Sequence, residues 1–216
     1  MEYQTVVQKR RMVRSISAAP LPSGLVQRIL SNAQRGPSSG FTQGFDFLVF
    51  QGRDLDAFWA ALGERPDLAG VREAPLVIVP LANSTAYVQR YQRPDKAAVG
   101  RQSAEDFPAP YWWIDAAFAS MLILLTAVDA GLGAFYFSLA ATSSGIHPFR
   151  RKFGVPDTHH PIGAITVGYP TRDDPLRPSR AQIKSARRDP STRVRYGRWS
   201  GAGSQVTSPV GSKPGG

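Results

Sequence analysis

The chain has 216 residues, 42% of them hydrophobic, enough for one buried core, and a formal net charge of +10. It contains no cysteine, which excludes disulfides, thiolate zinc sites, iron–sulfur clusters and a cysteine nucleophile. Residues 172–216 hold ten Lys/Arg against three Asp/Glu, so the basic excess sits in a C-terminal arm and the body is nearly balanced.

The first residues carry charge with no apolar stretch behind it, so a secretory signal is not expected and the cytoplasm is the expected location. Residues 2–10 predict a short helix that ends in the cluster Lys9, Arg10, Arg11, Arg14. A second helix is expected after Pro22, with Ser23 as N-cap and Leu25, Val26, Ile29, Leu30 and Ala33 at helical spacing. Arg35–Gly44, rich in Gly, Ser and Pro, reads as a loop feeding a strand over Phe45–Phe50. A helix is expected over Leu55–Leu62. The apolar run Pro75–Ala82 then reads as a strand buried on both faces.

Residues 84–110 predict an irregular or partly helical excursion. The longest helix follows, over Ile114–Ala130, ending at Gly131-Leu132-Gly133. It is interrupted by Asp115 and Thr126, and is read as a buried helix of a soluble protein; no membrane partner is expected. Next come a strand over Ala134–Leu139, a short basic helix near Pro148–Phe153 and a last strand over Ile162–Pro170. His159 and His160 precede that strand without acidic or cysteine partners, so a solvated loop is expected there and no metal. Residues 200–216 are mostly Gly, Ser and Pro and are expected to be disordered. The order of elements indicates an α+β domain of three layers, α/β/α, over residues 1–199, with 172–199 as an extended arm.

Two features suit an anion and a planar ligand. Arg10, Arg11 and Arg14 lie within five residues, and guanidinium forks match phosphate oxygens. Pro37-Ser38-Ser39-Gly40 forms a tight loop whose N–H groups and hydroxyls can approach a ring closely.

In combination and order, these segments resemble the nitroreductase-like flavoprotein family over roughly residues 8–199. Arg10-Arg11-Met12-Val13-Arg14 is similar to that family's Arg-Arg-Ser-x-Arg motif, and Gly36–Phe50 to its Pro-Ser-Ser loop and first core strand. The helix from Asp115 and the strand after it resemble its dimer-core helix and following strand. His147–Pro170 resembles its small helix and Gly-Tyr-Pro strand end, and Ala186–Trp199 its C-terminal arm.

The resemblance implies an FMN-binding fold with a central mixed sheet and a long dimer-core helix. It also implies a homodimer, NAD(P)H as electron donor, and a small-molecule acceptor served by a ping-pong mechanism. Arg10, Arg11, Met12 and Arg14 would face the FMN phosphate, with Arg187 or Arg188 from the arm. Pro37, Ser38, Ser39 and Gln43 would contact the flavin ring or ribityl chain, and Tyr136, Ser138 and Leu139 would offer backbone groups near the ring. No side chain is singled out as catalytic, because FMN carries the chemistry.

Departures are visible: Met12 stands where the family has Ser, Phe41 where it has Asn, and Gly44-Phe45 where it has Pro-Trp. Two readings compete with the enzyme. One is a flavin-binding or storage protein without efficient turnover. The other is a nucleic-acid-binding module whose arm alternates Tyr196 and Trp199 with Arg193, Arg195 and Arg198. The enzyme reading expects no nucleic-acid partner.

Overall fold

The computed structural model describes residues 1–139, 146–171, 179–189, 192–197 and 199. The chain divides into two units, Met1–Pro175 and Leu176–Gly216. The division falls near the expected start of the arm, and the tail over 200–216 lies outside the described residues.

In the first unit the chain runs α1 (Tyr3–Lys9), α2 (Ser23–Ala33), β1 (Phe45–Gln51), α3 (Asp54–Leu62), β2 (Leu76–Asn83) and α4 (Ser84–Tyr91). It continues α5 (Tyr111–Asp129), β3 (Gly133–Phe137), α6 (His147–Phe153), β4 (His159–Pro161) and β5 (Ala164–Gly168). The second unit holds α7 (Arg180–Ala186), opened by a reciprocal pair of bonds between Ser179 and Gln182.

The strands form one sheet in the order β1-β2-β5-β3, with β4 also on β2. All these pairings are antiparallel, where the family resemblance implies a mixed sheet. The register shows why: Gln51, ending β1, sits opposite Leu76, starting β2, so the α3 excursion leaves and re-enters at one end of the sheet.

Strand β2 is buried on both faces, as its unbroken apolar run predicts. Leu76, Ile78 and Ala82 join one core cluster with Val26 and Ile29 of α2, Tyr87 of α4, and Ala119 and Ile123 of α5. Val77, Val79 and Leu81 join the other, with Phe58 of α3 and Phe149 of α6. Three layers result, helices on both faces of the sheet. Pro80 lies within this central strand without breaking it. Its carbonyl accepts from the Ile162 amide at 3.0 Å, at the break between β4 and β5, so its missing N–H falls where the ladder is interrupted.

Helix α5 begins after Pro108 and Pro110 and ends in a Schellman turn. The Leu132 amide donates to Ala127 and Gly131 takes φ 74°, a left-handed conformation that glycine adopts without strain. Its length and mean hydropathy of 1.6 would suit a membrane span, yet its sheet-facing side is core. The turn after it makes β3 run back antiparallel to α5. The first turn of α5 and the last residues of β3 therefore share one end of the sheet.

Two local expectations change. The cap of α2 is Pro22 and not Ser23, because the helical bonds already start from the Pro22 carbonyl, which accepts from Leu25 and Val26. His159 and His160 form β4 instead of a solvated loop, held by pairing with Asn83 and Ala82.

Candidate functional site

Residues 10–17 run along the free edge of β3 and fix the N-terminal arginines there. The Val13 amide donates to the Ala134 carbonyl at 2.9 Å, Ile16 to Gly70 at 2.9 Å and Ser17 to Tyr169 at 2.9 Å. Val13 and Ile16 are buried, which turns the intervening polar side chains outward. Arg14 lays its guanidinium over the Phe135 ring, 5.0 Å from the centroid. A cation held over a ring face in this way keeps its N–H donors for an oxygen ligand. Arg10 and Arg14 have no carboxylate partner among the described residues; Arg11 is half-buried beside them.

Met12, which replaces the expected serine, accepts from the Tyr136 amide through its sulfur at 3.5 Å. The thioether thus covers an edge N–H of β3 rather than adding a hydroxyl for phosphate. Tyr136 donates its phenol proton to the Ile162 carbonyl, and burial pushes its pKa up. Ser138 is exposed, its carbonyl 3.4 Å from an Arg65 nitrogen, while the Leu139 side chain is buried in the core. The structure therefore sets Met12, Val13 and Arg14 against Tyr136, Ala134 and Phe135 of β3. Arg187 and Arg188 are exposed and follow α7 in the second unit.

The loop over 36–44 rests on the first turns of α5, and a buried carboxylate fastens it. Asp115 is 1% exposed, and its Oδ2 accepts from Ser38 Oγ at 2.7 Å, Tyr87 Oη at 2.8 Å and the Gly44 amide at 3.0 Å. Ser38 Oγ in turn accepts from the Gln43 amide at 2.7 Å. One oxygen thus ties both ends of the loop to two helices. Burial pushes the Tyr87 phenol well above its ordinary pKa, and Asp115 beside it adds to the rise, against the lowering effect of the Ser38 hydrogen bond.

Ser38 was expected to face the ligand; its proton is committed to Asp115, so it anchors the loop. Of the loop residues expected to contact the ligand, Ser39 and Gln43 keep polar side chains without such an anchor, Thr42 Oγ1 donates to the Ser39 carbonyl at 2.7 Å, and Pro37 is exposed. Between the anchors Gly40, Phe41 and Gln43 all take left-handed φ, at 62°, 51° and 55°. Gly44 has a structural reason to replace proline. A Cβ there would lie 2.5 Å from the Tyr87 ring, and proline would remove the N–H given to Asp115.

Sequence reasoning missed Asp115 and Tyr87. The available signal was a lone carboxylate in the apolar start of α5, which requires buried donors. It also missed Asp46, whose Oδ2 lies 3.1 Å from His159 Nε2, contrary to the expectation of no acidic partner. His160 stacks on Trp113 at 6.1 Å, and burial pushes its pKa down, with Arg150 and His159 adding to the fall. Among the described residues no three His, Cys, Asp or Glu gather around a metal-sized site.

Residues 7–169 match the sequence profile of the nitroreductase family. A protein of Methanothermobacter thermautotrophicus, provisionally named NADH dehydrogenase/NAD(P)H nitroreductase, is 27% identical over 177 residues, 80% of each chain. The fold is that of a nitroreductase family protein from Clostridium difficile 630, with TM-score 0.67 at 20% identity over 92% of this chain and 100% of that one. An FMN-dependent nitroreductase from Clostridium difficile R20291 superposes with TM-score 0.61 at 18% identity, over 90% and 98%.

Proposed function

Because the chain belongs to the nitroreductase family of oxidoreductases, we propose that it is an FMN-dependent enzyme of the cytoplasm. It takes electrons from NADH or NADPH and passes them to a nitroaromatic, quinone or similar small acceptor. The carrying observation is the pair Arg10 and Arg14, two guanidinium groups without carboxylate partners among the described residues, on the segment that Val13 pins to the edge of β3, with Arg14 laid over Phe135. A dianionic phosphate is the ligand class that such a pair fits. When bound, FMN supplies the hydride chemistry. The chain's own residues position it: Arg10, Arg11 and Arg14 toward phosphate, Ser39 and Gln43 toward the polar part of the ligand, and Asp115 through the loop it fastens. Donor and acceptor use one pocket in turn, so initial-rate plots at varied donor should be parallel.

The test removes one fork. Arg14→Ala should weaken FMN about ten- to a hundredfold and leave riboflavin, which lacks the phosphate, nearly unmoved. Equal weakening of both flavins in a fluorescence titration would show that Arg14 does not bind phosphate.

The working form we propose is a homodimer built on α5. Its outer side carries Trp113, Ile114, Phe118 and Met121, each about two-fifths exposed or more, at helical spacing. Gly36 packs against Phe118, so the ligand loop starts beside this stripe. Phe118→Glu should weaken self-association about a hundredfold or more by placing charge in a self-facing apolar seam. Sedimentation at micromolar concentration checks it; a variant still dimeric would move the interface elsewhere.

A further inference from the structure

Beside the ligand loop lies a cleft of about 450 Å³, walled by Gly40, Phe41, Gln89, Arg90, Arg93 and Asp95. Two of its walls are fixed. Arg90 gives both terminal nitrogens to Asp95, at 2.8 Å each, and its Nε to the Gly40 carbonyl at 3.3 Å. Those contacts use the Arg90 fork and neutralise it. Arg93, just past the end of α4, has no ion-pair partner among the described residues and stands exposed on the rim. Opposite the helix, the Phe41 ring is 81% exposed, on a residue held at φ 51°. A bulky side chain in that conformation is uncommon, and here it keeps an aromatic face in solvent where packing gains nothing.

We infer that this cleft binds a purine nucleotide, the adenosine-phosphate half of the nicotinamide donor, with Phe41 as stacking platform and Arg93 on a phosphate. The volume suits a mononucleotide, a stacking face and a single unneutralised cation meet in it, and aromatic stacking on a base tolerates an open site. Position fits as well. Phe41 is two residues from Ser39, so their Cα atoms lie within about 8 Å, and the cleft adjoins the loop proposed to hold FMN. The inference rests on the reading of the chain as a nicotinamide-dependent flavoenzyme, but nucleotide binding is measurable without turnover.

The experiment is calorimetric titration of the FMN-loaded, full-length protein with AMP, adenosine and inorganic phosphate. AMP should bind at least tenfold more tightly than either part alone. Arg93→Ala should weaken AMP about tenfold and leave adenosine unmoved; Phe41→Ala should weaken both about tenfold. Arg14→Ala, which answers for the FMN phosphate, should leave AMP unmoved. AMP affinity unchanged in both cleft variants, or no tighter than that of phosphate, would overturn the inference. So would loss of AMP binding in Arg14→Ala, which would place the nucleotide in the flavin phosphate site. A protein that binds AMP through Arg93 and Phe41 yet fails to oxidise NADH or NADPH would uphold the cleft and overturn the function proposed above.

Discussion

Asp115→Ala should destabilise the protein by about 2–5 kcal/mol, a large share of the roughly 5–15 kcal/mol by which a typical domain is stable. Three donors lose their acceptor together: the Ser38 hydroxyl, the Tyr87 phenol and the Gly44 amide. Ser38 and Tyr87, already 3.3 Å apart, can satisfy one another in part, which is why the loss is smaller than three separate orphans would give. Asp115→Asn keeps one acceptor oxygen and should cost about 1–2 kcal/mol. Urea unfolding orders the variants, and equal losses for Ala and Asn would show that burial, not acceptance, matters at this position. The same knot predicts an alkaline limit. The Tyr87 pKa is raised above the ordinary 10.0, so the unfolded chain gives up that proton first. The stability linked to it is whole below about pH 10 and falls as pH rises beyond. Tyr87→Phe should remove that slope.

Gly70→Ala should be nearly as damaging, through a different route. A Cβ at position 70 would stand 2.2 Å from the Arg14 carbonyl oxygen, and Gly70 also accepts the Ile16 amide. Backbone cannot yield as a side-chain tip does, so the 10–17 segment must lift off the sheet. The expected cost is about 1–3 kcal/mol from overpacking, with FMN weakened at least as far as by Arg14→Ala, because Arg10 and Arg14 move together. Thermal melting and FMN titration check the two halves. A variant with lowered melting temperature and intact FMN affinity would separate the arginines from the clasp that holds them.

What the sequence made legible is what repeats or punctuates. The apolar run of β2 announced a strand covered on both faces, and Gly131-Leu132-Gly133 announced the end of α5. The Arg10–Arg14 motif and the Ser38–Gln43 loop were visible as composition, and family resemblance gave them roles. Hidden were contacts between positions far apart. Asp115 meets Ser38 across 77 positions and Tyr87 across 28, and nothing local in any of the three segments encodes the meeting. The replacement of proline by Gly44 looked like an arbitrary departure until the Tyr87 ring filled the space a Cβ would need. The short strand at His159–His160 escaped for the same reason. Three residues with two histidines carry no period, and only pairing with β2 makes them a strand.

The clasp of residues 10–17 also bears on the order in which the protein comes into being. The arginines proposed to grip phosphate precede almost all of the first unit along the chain, yet Ser15 is held by Thr171, 156 positions later. The N-terminal segment must wait for nearly the whole first unit before its partners exist, and closing so long a loop costs on the order of 4 kcal/mol of chain entropy. Strand pairing of this reach folds late. A phosphate ligand held by Arg10 and Arg14 can therefore reward only the finished sheet and cannot nucleate it, so cofactor supply would govern how long the folded protein lasts rather than how fast it forms.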